Sequence, residues 1–151
     1  MAQGDVLFFD QFLVDTLEKL HDLETDVFKI GLITSAVTPA VTTADPRWGA
    51  GGGTNLATNQ VTPGGNYASG GPTIANPVVS LTGGLAMFDG DDVSIAQNAG
   101  NPTNAVWGVI YNDTDAGKRC LGYVDLGGVY DLTTGILSFA WNVNGIMRMS
   151  N

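Results

Sequence analysis

Few side chains in this sequence are equipped for catalysis. His21 is the only histidine and Cys120 the only cysteine. A Ser-His-Asp relay would have to run through His21, and no G-x-S-x-G elbow accompanies it. His21 falls near the end of a helical pattern, where a cation suits the negative end of the helix dipole. Cys120 opens an apolar segment and reads as a small buried hydrophobe that cannot form an internal disulfide. Zinc asks for several Cys or His ligands, and one of each does not make an ordinary site.

Carboxylates are more numerous. Asp89, Asp91 and Asp92 lie together in FDGDDVSI. Such a group could hold calcium, but the EF-hand spacing and its closing glutamate are missing. Asp and Gly are also what a tight turn between strands uses for local hydrogen bonds and positive φ, and the turn is the preferred reading. Asp113 and Asp115 in NDTDAG are turn residues of the same kind. A glycosidase pair would need two acids roughly 5–9.5 Å apart, and spacing along the chain selects no such pair. The segment from Gly49 to Thr54 fails G-x-G-x-x-G at its last position, with no helix pattern after it. Gly117-Lys118 lacks the upstream glycine and the following Ser or Thr of a phosphate loop. These residues point to no enzyme and no cofactor, and to a protein that acts by binding.

The elements that would position them are mainly β. One helix is expected over 5–23, where Phe9, Phe12, Leu13, Leu17 and Leu20 recur at three- and four-residue spacing to form an apolar stripe. Gly4 or Asp5 can cap it, and Asp15 can pair with Lys19 one turn on. Val6, Leu7 and Phe8 are more apolar than a single buried stripe requires. They suit either a helix lying on a sheet or contact with a second subunit. From Asp26 the period changes to two, with Phe28, Ile30 and Leu32 on one face of a strand and Val27, Lys29 and Ile33 on the other.

Residues 35–76 form a long Gly/Pro-rich stretch containing GAGGGTN and PGGNYASGGP. A structureless loop of that length is uncommon within a compact domain, and Val41, Trp48, Leu56, Val61 and Tyr67 argue against simple disorder. It reads as an extended arm laid over its own domain or a neighbour. The region 77–151 reads as β throughout. Strands are expected at Pro77–Leu81, Leu85–Phe88, Val93–Ile95, Ala105–Tyr111, Cys120–Leu126, Gly135–Val143 and Ile146–Met149, separated by Gly, Asn and Asp turns. AVWGVIY is apolar on both faces, as a central strand should be. Leu137, Phe139, Trp141 and Val143 should share one buried face. The expected fold is a single domain over 1–151, an antiparallel β-sandwich or barrel with one N-terminal helix and a long arm.

The 151 residues carry 15 acids against 6 bases, a formal net charge of −9. Such a surface repels phosphate backbones and anionic membranes, so neither nucleic acid nor membrane is an expected partner. Charged residues are 14% of the chain, well under the usual ~25%, with 21 glycines filling the gap. No apolar run approaches the length of a membrane span. The first twelve residues lack the basic and apolar regions of a signal peptide, so maturation in a cytoplasm is expected.

The order of segments DVFKIGLITSA, GGNYASGG, AMFDGDDVSI, AVWGVIYNDTDAG, LGYVDLGG and GILSFAWNVNGIMRM resembles a family of small tailed-bacteriophage virion proteins, many of them head-decoration or capsid cement proteins. The likeness spans most of the chain, and GAGGGTNLATNQ departs from it as a longer connection. It implies a structural protein on the outer surface of the capsid, made in the host cytoplasm, trimeric, and bridging major capsid protein subunits. No catalytic residue carries over. The residues expected to make the contacts are Val6, Leu7 and Phe8 together with Trp48, Leu56 and Tyr67. A tail, neck or baseplate component is the nearest alternative. A glycan-binding adhesion module is the alternative from another class, with Asp89, Asp91 and Asp92 as its possible calcium ligands.

Overall fold

The structure, a computed structural model, describes residues 5–151; Gly4, one of the two expected helix caps, lies outside them. In chain order the first elements are β1 (Val6–Phe8), α1 (Asp10–Leu17), β2 (Phe28–Ile33), β3 (Pro46–Arg47) and β4 (Thr54–Asn55). A 3₁₀ turn (Leu56–Asn59) and β5 (Thr73–Ile74) follow. The second half holds β6 (Val78–Thr82), β7 (Leu85–Asp89), β8 (Val93–Ile95), β9 (Ala105–Asn112), β10 (Cys120–Tyr130), β11 (Leu137–Phe139) and β12 (Met147–Ser150). The chain is mainly β with antiparallel sheets and one helix near its N-terminus, and the sheets do not close into a barrel.

Strand β9 is apolar at both parities and therefore needs cover on two sides. It takes an inner position in a five-stranded antiparallel sheet of order β1-β10-β9-β2-β5. On one face Phe28, Ile30, Leu32, Ile110 and Val124 pack against Phe88, Val93, Ile95, Leu137 and Phe139 from the smaller sheets β12-β7-β6 and β11-β8. Phe12 of α1 closes the same core. On the other face Ile33, Val109, Tyr111, Cys120 and Tyr123 pack with Phe9, Trp48 and Leu56. Trp48 and Leu56 come from the arm, which thus covers its own central sheet. The Tyr67 hydroxyl accepts from the Leu32 N–H at 2.8 Å, and the Tyr111 hydroxyl donates to the Gly70 carbonyl at 2.9 Å. Burial pushes the Tyr67 pKa up to about 12, so this phenol stays a neutral strut.

The helix expected over 5–23 is a strand followed by eight helical residues. Val6–Phe8 pairs antiparallel with Val124, Tyr123 and Gly122 of β10, so a long-range ladder overrides the local helical pattern. The helix stops because Lys19 adopts φ 61°, while the Lys19 and Leu20 amides turn back to Thr16 and Asp15 carbonyls. That left-handed closure ends many helices, usually with Gly at the position. The expected Asp15–Lys19 pair gives way to Asp15 with His21 and Arg119. At the other end, β11 stops at Phe139, leaving Trp141 half-buried and Val143 exposed where a shared buried face was expected.

A candidate interaction surface and a buried polar hub

Helix α1 presents an unexpected face. Phe12 and Asp15, three residues apart, point inward. Asp15 is held there by the Gln11 amide at 2.9 Å and by Arg119 at 3.7 Å, with the His21 ring 3.8 Å away. With a carboxylate drawn inward, the apolar residues one position round the helix turn outward. Leu13 is 58% exposed and Leu17 86%.

The sheet β12-β7-β6 continues this surface. Its register places Val79, Leu81, Ala86, Phe88, Met147 and Met149 on one face. The end at Phe88 is buried against the core, while the far end is bare, with Leu81 73% and Met149 60% exposed. Between α1, β1 and the C-terminal segment runs a cleft of about 410 Å³ whose apolar walls include Phe8, Leu13, Met147 and Met149. A smaller hollow of about 80 Å³ between Thr16, Leu23 and Val79 continues it across β7. Contiguous exposed apolar surface of this kind usually marks a contact with another macromolecule.

The end of the central sheet at Asn112, beneath the inward side of α1, is polar. Asn112 is fully buried, and its Oδ1 accepts from the Thr114 and Asp115 amides, both at 3.0 Å. Its NH₂ must therefore point the other way, donating to Asp26 at 2.6 Å and to His21 Nδ1 at 3.1 Å. That fixes His21 as the neutral tautomer with its proton on Nε2, an atom with no hydrogen-bond partner. Around it Arg119 pairs with Asp115 at 2.7 Å, Lys29 and Lys118 both reach Asp113, and Arg47 holds Asp45 at 2.7 Å. Lys118 thus braces the β9–β10 turn internally, while Lys29, Arg119 through Asp15, and Arg47 through the Gly117 carbonyl fasten it to its neighbours.

Burial lowers the His21 pKa below 6.5, outweighing the attraction of Asp15, Asp115 and Asp26, while Arg119 adds to the lowering. A proton added at Nδ1 would face the Asn112 NH₂. Unfolded chains take up that proton more readily, so this contribution to stability is complete above pH 6.5 and is lost as pH falls from there toward the lower folded value. Melting temperature should therefore drop between about pH 7 and 5 in the native protein. The slope should be reduced in His21→Gln, which cannot titrate; an unchanged slope would show that another group carries it.

Of the acids singled out for metal chemistry, Asp91 and Asp92 make structural bonds, while Asp89 Oδ1 is buried without a hydrogen-bond partner. Asp91 Oδ2 accepts from Asn76 at 2.6 Å, and Asp92 Oδ1 accepts from the Trp141 amide at 2.8 Å. Among the described residues no group of three His, Cys, Asp or Glu side chains is placed to hold a metal ion. Cys120 is buried and its thiol pKa is raised by that burial, so it stays protonated and inert.

Of the six residues expected to make contacts, Trp48, Leu56 and Tyr67 are buried within the chain's own core, beyond a partner's reach in this fold. Trp48 and Leu56 are needed to cover the second face of β9, and Tyr67 packs into the core on the first. Val6, Leu7 and Phe8 are half-buried in β1; Val6 and Phe8 also line the cleft, whereas Leu7 packs on the opposite face of the sheet. The exposed residues Leu17, Leu81 and Met149 escaped sequence reading, because apolar periodicity is read as burial. No family model, no curated protein and no solved structure matches this chain.

Proposed function

We propose that this chain is a structural protein of a tailed-phage virion, a head-decoration protein that grips major capsid protein subunits through its exposed apolar surface. The observation that carries a binding role is the bare strip of Leu13, Leu17, Leu81 and Met149 on a chain of net charge −9. An acidic protein that leaves such a strip open has an energetic reason to dock on another protein, and none to dock on nucleic acid. The likeness of its segment order to phage virion proteins supplies the setting. Many copies on a repeating shell would bind by avidity, so a modest contact area suffices.

The test is a copy count. Heads separated from tails on a gradient should carry this chain in near-stoichiometric ratio to the major capsid protein. A handful of copies, all with tails, would replace the cement reading by a neck or baseplate component. Leu17→Lys places a charge on the strip where the side chain has few contacts to lose. Attachment to heads should fall by about tenfold or more, equivalent to roughly 1.4 kcal/mol, with the melting temperature of the free protein unchanged. Undiminished attachment would remove α1 from the contact.

A further inference from the structure

We infer that β6 is a seam at which two copies of this chain join antiparallel, with a twofold axis at Ser80. This rests on the reading of the protein as one that works through protein contacts, and it names a second copy as one of those partners. An open strand edge is a template for another strand unless it is short, charged, bulged or interrupted by proline. The other edges of the two larger sheets are blunted in these ways. Strand β5 has two residues, β1 has three and runs directly into α1, and β12 carries Arg148. Strand β6 has five residues, VVSLT, all exposed, with no charge, no proline and an unbroken register against β7.

The hairpin geometry determines what this edge offers. Gly83 and Gly84, at φ 58° and 80°, form the two-residue turn between Thr82 and Leu85. In such hairpins the residues flanking the turn are a hydrogen-bonded pair, and the pattern alternates from there. Thr82, Ser80 and Val78 therefore bond to β7, and the N–H and C=O groups of Leu81 and Val79 point to the open side. A second β6 running antiparallel fits those groups best with Ser80 opposite Ser80. Only that register pairs all five residues. It sets Val79 against Leu81 of the other copy in reciprocal backbone hydrogen bonds, with apolar side chains meeting on the face that Ala86 and Met149 continue. Copies of net charge −9 repel one another, and along β6 no like charge opposes their approach. A basic partner would find no carboxylate on this strand.

On the axis the two Ser80 residues form a non-hydrogen-bonded pair, with Cα atoms roughly 4.5 Å apart, within disulfide reach. The full chain carrying Ser80→Cys should form a covalent dimer on mild oxidation, and Val78→Cys, which faces Thr82 of the other copy, should not. Cys120 is buried and does not compete. In sedimentation the native chain should be dimeric at high concentration and Leu81→Lys monomeric, with equal melting temperatures at dilutions where both are monomeric. A native chain that stays monomeric at every concentration would overturn the inference. So would an assembly, a trimer included, that persists in Leu81→Lys without a Ser80→Cys crosslink. The crosslink is read in the free protein, so it supports the seam even where the gradient places this chain with tails. Its absence removes the seam even where heads carry the chain in full number.

Discussion

Replacing Trp48 with Ala is expected to destabilise the free protein by about 3–5 kcal/mol, the usual cost of emptying a large aromatic site. On a chain of this size that lowers the melting temperature by on the order of ten degrees. Trp48 stacks on Tyr111 with ring centroids 5.0 Å apart and planes 10° from parallel. It lies across Gly31, where a Cβ would sit 2.3 Å from the indole ring, so the strand beneath must lack a side chain for the ring to fit. Its amide donates to the Lys118 carbonyl at 2.8 Å, tying the arm to the β9–β10 turn. Truncation leaves a cavity over Gly31 and Tyr111 and removes the side chain that packs the arm on the central sheet, while the backbone bond to Lys118 remains. Thermal and urea unfolding of the free protein measure the loss, and Trp48→Phe should recover part of it. Read from the sequence alone, Trp48 falls among the residues expected to contact a partner. A melting temperature within a degree or two of native would restore that view and count against the packing described.

Asn112→Ala should cost about 2–4 kcal/mol, because each buried polar group left without a partner costs roughly 1–3 kcal/mol and several are stranded together. Asn112 serves the Thr114 and Asp115 amides with its oxygen and Asp26 and His21 with its nitrogen. Its removal leaves His21 Nδ1 without a donor and takes one bond from Asp26, which still accepts from the Asp22 amide at 2.9 Å. Asn112→Asp should also destabilise near neutral pH, since a carboxylate would face Asp26. That variant should regain stability when mildly acidified, unlike the native protein. Unfolding free energies at two pH values separate these outcomes. A neutral effect of Asn112→Ala would mean that water replaces the side chain and that the hub does not hold the residues after α1 to the turn.

Much of the β architecture was legible along the chain. Val93–Ile95 was bounded correctly, and β6, β7, β9 and β12 came within a residue at each end, because alternating apolar residues broken by Gly, Asn and Asp turns carry that information locally. The two-sided apolar character of AVWGVIY likewise announced an inner strand. Other boundaries were less local. Strand β10 runs on through Gly127 and Gly128 to Tyr130 with a register shift, where two glycines had read as a turn.

What tertiary structure alone decided is which surface covers which. Periodicity shows that residues share a face, but it is silent on what that face meets. Val6–Phe8 reads as helix until β10 offers a ladder, and Leu13 and Leu17 read as core until Asp15 is drawn inward by Arg119. Trp48, Leu56 and Tyr67 read as residues of an arm laid over its own domain or a neighbour, until the second face of β9 claims Trp48 and Leu56 and the core on the first face claims Tyr67. Each of these outcomes depends on partners distant in the chain, whose pairing energy exceeds the few tenths of a kcal/mol by which local propensities differ. The sequence by itself determined a β-rich acidic chain with few catalytic groups; only the fold determined which of its apolar residues are left bare.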